Sequence, residues 1–170
     1  MSFQIIDPRL KRNIRPYLFQ SFLAFISLLL LLWLAGAHVA RTVIIAAIGS
    51  TGFVLFATPH TANAAPRRVI GGHFIGLVIG CALALFDATS GVQQLLLNFP
   101  FLFDVEAALA VGLSIFLMAA TDTEHAPAAG TALAVVVQGF SWTLVFFVAS
   151  SVVVLSLIHR LLRFYLRDLL

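Results

Sequence analysis

The sequence predicts an all-α, polytopic transmembrane helical bundle of about five to six membrane segments, with some helices short or broken. Three observations predict it. Apolar residues make up 61% of the 170-residue chain and charged residues only 10%, against roughly a quarter charged in a soluble domain. Mean hydropathy is +1.06, so the chain could not cover a water-facing surface and lipid must be its solvent. The charges stand at the ends of apolar runs, where membrane topology puts them. The net charge of +3 is therefore a topological signal and not a nucleic-acid footprint. The one cysteine, Cys81, lies inside an apolar run, with no intrachain disulfide partner and no metal spacing. It reads as a small buried hydrophobe, and no metal or cofactor is expected.

Charges mark out the elements of a single transmembrane domain over residues 1–170. Residues 1–16, with Arg9, Lys11, Arg12 and Arg15, form a basic cytoplasmic N-terminus by the positive-inside rule. Residues 17–37 make the first span, with a Leu-rich centre, and Trp33 is read as a packing or interfacial residue. This run is too long for a signal-peptide core and no small-residue cleavage site follows the basic stretch, so it is read as a retained span. Residues 42–57, beyond Arg41, form a short second span that stops at the turn chemistry of Thr58-Pro59-His60-Thr61-Ala62-Asn63-Ala64-Ala65-Pro66. Residues 69–86 form the third. Gly72, Gly76 and Gly80 recur there every fourth residue on one face, a small-residue stripe that lets another backbone approach. A homo-oligomer or a partner protein packed through that stripe is the expected use.

Asp87 to Asp104 reads as an outer connector, with Val92, Leu95, Leu96 and Phe99 at helical spacing after Ser90, lying in the interface. Residues 105–121 form a short fourth span whose acids, Asp104 and Glu106, suit a helix N-terminus. Thr121 to Thr131 then interrupts the apolar sequence, and no charge follows Glu124 until Arg160. One helix over those ~35 residues would be roughly 52 Å long at 1.5 Å per residue, against a hydrocarbon core of about 30 Å. The reading is a short helix at 128–138, a break marked by Gln138, Gly139 and Ser141, and a last span at 140–160 that includes Trp142. Residues 161–170 put Arg163 and Arg167, after Arg160, on one face beside Leu and Phe, as a basic amphipathic tail at a membrane surface. A cytoplasmic C-terminus requires residues 128–158 to cross twice, or the short helix to cross in part. The sequence leaves that parity open.

The two interruptions resemble each other. Thr58-Pro59-His60-Thr61-Ala62 and Thr123-Glu124-His125-Ala126-Pro127 each follow a short span on the inner side, and each leads into a Gly-containing helix. Paired Gly/Pro-broken segments point to a transporter's binding site. A broken helix exposes backbone N–H groups without intrahelical partners, which with the helix dipole suit a small anion. The alternative is a pair of ordinary cytoplasmic turns.

Here the residues resemble a known family. Pro66-Arg67-Arg68-Val69-Ile70-Gly71-Gly72-His73 is similar to the "QPRNVIGGH" signature of the HPP family of membrane proteins. His125-Ala126-Pro127-Ala128-Ala129-Gly130-Thr131-Ala132-Leu133 resembles its "HPPAGATAL" element, and Thr58-Pro59-His60 its "SPH" step. The resemblance runs from about Val43 onward in order and spacing. The sequence departs at Ala126, where the family has the first proline of its name, and at Asn63-Ala64-Ala65, where "LAQ" is usual. Some members are associated with nitrite transport across cyanobacterial or plastid membranes. Others stand beside unrelated domains with no assigned role, so the resemblance implies a membrane protein and small-anion transporter and nothing firmer about substrate. The reading taken is a nitrite- or nitrate-like anion, in a membrane of the bacterial inner-membrane kind.

The candidate substrate-binding residues are Thr58, His60, Arg67, Arg68, Gly71, Gly72, His73, His125, Gly130 and Thr131. Arg67 and Arg68 are topology anchors, or one of them offers a planar oxyanion its two-pronged fork. His73 lies about a turn into an apolar helix, where ionisable residues usually face a cavity. His60 and His125 stand in the breaks and titrate in the neutral range unless perturbed. Asp122 and Glu124 repel an anion and are expected to bind a proton or hold an Arg. Thr61 and Thr131 line a polar path, or Thr131 bonds back to its own helix. No HExxH, GxSxG or metal-spaced cluster is present, so the chain is not expected to be an enzyme. The alternative function is a structural or regulatory membrane subunit.

Overall fold

The computed structural model of the chain describes residues 13–35 and 42–169. Arg9, Lys11, Arg12 and Arg41, and the side chain of Trp33, lie outside the described residues. Within them the chain is all-helical: α1 Arg15–Ala35, α2 Thr42–Ala57, a 3-10 turn Ala62–Ala64, α3 Pro66–Asp87, α4 Ser90–Asn98, α5 Phe101–Ala120, α6 Ala126–Gln138 and α7 Trp142–Leu162. Helices α3, α5 and α7 are each long and apolar enough to span a bilayer. The apolar parts of α1, α2 and α6 are shorter.

The boundaries follow local chemistry. Helix α3 starts three residues earlier than expected because Pro66 takes the first helical position, where its fixed φ and missing N–H cost nothing. Arg67 and Arg68 therefore stand inside its first turn. Helix α5 also starts early, at Phe101, and Asp104 falls in its first turn, where the helix dipole favours a carboxylate. Helix α6 ends at Gln138 because Gly139 turns to φ 77°, ψ 165°, and Ser141, extended and with no side-chain bond to the helix, precedes α7. The connector holds a short helix, α4, with Val92 and Leu96 half-buried and Leu95 and Phe99 exposed.

Side-chain contacts fix the direction of each helix. Gln20 near the start of α1 donates to the carbonyl of Phe56 near the end of α2, and Leu28 lies beside Gly52. The two helices thus run antiparallel. His159 at the end of α7 bonds the Pro59 carbonyl through Nε2 at 2.9 Å. Gly72, Gly76 and Gly80 of α3 face His125, Ala128, Ala132 and Val135 in the same order, so α3 and α6 run parallel. The start of α1, both breaks and residues 163–169 consequently share one face. Asp87, Gln93, Phe103, Gly139 and Phe140 gather at the other.

This arrangement resolves the parity that the sequence leaves open. Helix α6 carries the chain from the face of the breaks to the opposite face, and α7 brings it back. At 13 residues it rises about 20 Å, so it is short for a crossing, and the non-helical residues 121–125 and 139–141 extend it at both ends. The main core is formed by Ile44, Ile48 and Leu55 of α2, Val69 of α3, Val135 of α6 and Val148, Val152 and Leu155 of α7.

One expectation is corrected. The glycine stripe does not face outward to a second copy. Cβ atoms added at Gly72 and Gly80 would stand 2.9 Å from the Cβ of His125 and 2.7 Å from that of Val135, and one at Gly76 would strike the Ala128 carbonyl. The stripe is filled by α6 of the same chain, because only glycine lets the two backbones approach so closely. The basic amphipathic tail is non-helical and turns part of its apolar side into the bundle. Helix α7 ends at Leu162, and the chain turns back so that Leu166 and Leu169 are buried. The Leu169 N–H donates to the Ala57 carbonyl at 2.8 Å, and Gln20 accepts from the Arg167 N–H at 3.1 Å while donating to its carbonyl at 2.8 Å. One buried amide thus satisfies three backbone groups, a stronger demand than the exposed basic face of the tail.

Candidate functional site: a buried histidine–threonine cluster between the two breaks

The two breaks meet. The second is an extended connector, 121–125, ending in His125, the residue that precedes α6 with φ −140° and ψ 98°. Its side chain does not cap its own helix. Its Nδ1 lies 3.0 Å from the carbonyl oxygen of Asn63 in the first break. The other ring nitrogen, Nε2, lies 3.2 Å from Thr51 Oγ1 on α2. Thr51 Oγ1 is also 2.8 Å from Nε2 of His73 on α3, and 3.0 Å from the Ala47 carbonyl one turn back. His73 completes the chain with Nδ1 at 2.8 Å from Thr131 Oγ1 on α6. Thr51, His125 and Thr131 are 0% exposed and His73 2%. The two rings are tilted at 55° with centroids 5.3 Å apart.

The cluster is positioned by packing. Gly71 and Gly72 let the connector lie against α3: added Cβ atoms there would stand 2.7 Å from Thr123 Cγ2 and 2.9 Å from the Thr123 carbonyl oxygen. Gly130 lies beside Ala47 of α2, which brings α2 and α6 close enough for Thr51 to reach across. In a low-dielectric interior an unmade hydrogen bond is costly. Here every ring nitrogen has a partner. Groups of three or more His, Cys, Asp or Glu side chains placed to hold a metal ion are not found among the described residues.

The arginines serve the breaks differently. Arg68 is bonded to Asp122 and lies 3.4 Å from Glu124. Arg67 donates to the Thr121 carbonyl at 3.0 Å and lies 3.5 Å from Asp122. Together they clamp the second break to the start of α3, so Asp122 and Glu124 do hold an Arg. Asp122 turns at φ 54°, a left-handed conformation that Asp tolerates.

Of the candidate residues, His73, His125 and Thr131 come together in the buried cluster, and Thr131 bonds His73 rather than its own helix. Gly71, Gly72 and Gly130 supply the close approaches around it. Thr58 instead bonds back to the Val54 carbonyl at 3.0 Å, and Thr61 to the Thr58 carbonyl at 2.8 Å. His60 is exposed, with its backbone N–H on Asp168 at 3.0 Å. Sequence reasoning missed Thr51, Asn63 and Gln20. Thr51, beside Ser50, and Gln20, beside Ser21, carried a signal as polar side chains within apolar helices. Asn63 carried none, because only its backbone takes part. Trp142 is largely exposed and packs between Phe140 and Phe146.

A family model described as HPP, transmembrane region, matches residues 9–166. A transmembrane protein of Dictyostelium discoideum is 30% identical over 113 residues, covering 66% of this chain and 36% of that protein. This chain therefore spans well under two thirds of that relative's length. No solved structure matches it. Two segments that carry the resemblance, Pro66 to His73 and His125 to Leu133, supply His73, His125 and Thr131 to the buried cluster, and with a match over nearly its whole length the chain belongs to the HPP transmembrane-region family.

Proposed function

We propose that this chain is a transporter or channel for a small inorganic anion of the nitrite or nitrate type, working without a catalytic step. The observation that supports the reading is the convergence of two helix N-termini on one face. Helices α3 and α6 run parallel, begin at the two breaks, and neither is capped by a side chain. Such ends turn the positive pole of the helix dipole toward an anion, while Pro66 and Pro127 supply no N–H and those of Arg68 and Ala128 already bond the Ala65 and His125 carbonyls. Broken helices of this kind form substrate sites in other transporters. A cavity of about 170 Å³ opens on the same face, between the first break and the end of α7, and Arg160 and Arg163 line it with His159. Cationic side chains there raise the local concentration of anions. By the positive-inside rule this face is cytoplasmic, in a bacterial inner membrane.

The test is anion uptake into proteoliposomes, comparing nitrite, nitrate, chloride and formate with and without a pH gradient. Selective uptake above empty vesicles is the expected result. Folded protein that moves none of these anions would overturn the reading. It would favour a structural or regulatory subunit, for which the mostly unburied apolar surface of α5 supplies a lipid- or partner-facing side.

A further inference from the structure

We propose that Thr51, His73, His125 and Thr131 form a proton-binding relay in which the Thr51 hydroxyl changes acceptor when the cluster takes up one proton. Counting donors and acceptors fixes the starting state. The Asn63 carbonyl can only accept, so His125 Nδ1 carries a hydrogen and donates to it. In neutral His125 the other nitrogen, Nε2, is then an acceptor. For that nitrogen to have a partner, Thr51 donates to it and not to the Ala47 carbonyl 3.0 Å away, and having one hydrogen it accepts from His73 Nε2–H. His73 Nδ1 is therefore bare and accepts from the Thr131 hydroxyl. The neutral cluster is one directed chain: Thr131 to His73 to Thr51 to His125 to Asn63. It cannot reverse, because its last member has no hydrogen to give.

The protonated cluster is satisfied as well, which is the unusual property. A proton arriving from water forms an N–H bond at His125 Nε2. That N–H donates to Thr51 Oγ1, and the Thr51 hydroxyl hydrogen swings to the Ala47 carbonyl, already 3.0 Å away. Thr51 then accepts from both histidines and donates to Ala47, and no buried group loses its partner. His73 has no such alternative: a hydrogen on its Nδ1 would leave the Thr131 hydroxyl without the acceptor it has now. His125 is accordingly the first site. With ring centroids 5.3 Å apart, two positive charges repel at short range, so the cluster holds one proton. A mostly apolar groove of about 410 Å³ between α2 and α6 runs past Ala47, Ser50, Phe53 and Gly130, and none of the four cluster side chains lines it.

The charged and titratable groups on the elements packed around the pair are accounted for. On α3 they are Arg67 and Arg68 at its start, Cys81, and Asp87 at the far end. On the connector they are Asp122 and Glu124, held by Arg68. The first break contributes His60, beside Asp168, and α7 contributes His159 on Pro59 and the exposed Arg160. Helix α5 carries Asp104 and Glu106 in its first turns, toward the opposite face. Helices α2 and α6 carry none among their described residues. The bonds to the two rings come from Thr51, Thr131 and Asn63.

Proton binding of this kind stands apart from anion transport, and its test contains no transported anion. Histidine-¹⁵N-labelled protein in nanodiscs is titrated by NMR from neutral to acid pH. At neutral pH the expected tautomers are Nδ1–H for His125 and Nε2–H for His73. On acidification one proton per chain is expected, on His125, while His73 stays neutral. Thr51→Ser keeps the hydroxyl and is expected to preserve this order, whereas Thr51→Val is expected to abolish it. The opposite tautomer at His125, simultaneous protonation of both rings, or unfolding before either titrates would each overturn the proposal. The wild-type tautomers and the wild-type order of protonation decide it if Thr51→Val fails to fold.

Discussion

His125 Nδ1 stands 3.0 Å from the carbonyl oxygen of Asn63, so the second helix break is hydrogen-bonded to the first across 62 residues of sequence. This bond joins the loop before α3 to the start of α6. His125→Ala removes it together with the contact to Thr51. Interhelical hydrogen bonds in membranes average about 0.6 kcal/mol, and the vacated space adds a packing loss. A destabilisation of about 1–3 kcal/mol is expected, measured by unfolding in mixed micelles. His60→Ala, at an exposed site, should stay within about 0.5 kcal/mol. Equal effects from the two would contradict the cluster's role.

Gly76 lies against the Ala128 carbonyl with no room for a methyl group. Gly76→Ala is expected to push α3 and α6 apart and cost about 1–3 kcal/mol. Gly112 on α5, where an added Cβ meets nothing within 4 Å, is the control. Gly112→Ala should be neutral or slightly stabilising, since Ala is the better helix former. Thermal denaturation of both proteins in one detergent checks the contrast.

Gly139 has φ 77° and ψ 165°, a region essentially reserved for glycine, although an added Cβ there touches nothing. Gly139→Ala should therefore cost about 1–3 kcal/mol from the backbone alone. The same unfolding measurement applies. An unchanged midpoint would mean that the link between α6 and α7 relaxes freely.

Gln20 ties residues 167–169 to the start of α1 and the end of α2. Gln20→Ala should release the tail without unfolding the bundle. Limited proteolysis should then cut at the Arg163 to Arg167 region several-fold faster than in the native protein. A cleavage rate that does not change would show that burial of Leu166 and Leu169 holds the tail unaided.

Arg68 meets both Asp122 and Glu124 and is three-quarters buried, whereas Arg67 is mostly exposed. Arg68→Ala should loosen the second break more than Arg67→Ala. Exposed pairs are worth about 0–1 kcal/mol and are screened by salt. Hydrogen exchange of residues 121–125 at low and high salt measures the difference, which should shrink as salt rises.

The sequence by itself determined the membrane class and the positions of the breaks, and it named His73, His125 and Thr131 among ten candidate residues. Each was written in local chemistry: apolar runs too long for a soluble domain, prolines at helix starts, a glycine where the chain must turn, and polar residues where lipid disfavours them. Tertiary structure decided what faces what. A small-residue stripe specifies close approach and not the partner, so only packing assigns Gly72, Gly76 and Gly80 to α6 of the same chain. An arginine specifies charge and not its counterpart, so only the fold turns Arg68 toward Asp122 and Glu124. A 13-residue helix is ambiguous between crossing and re-entry until its neighbours fix its direction. Thr51 and the backbone of Asn63 enter the cluster for the same reason: hydrogen bonds between residues far apart in sequence depend on how helices cross, and no local pattern encodes that angle.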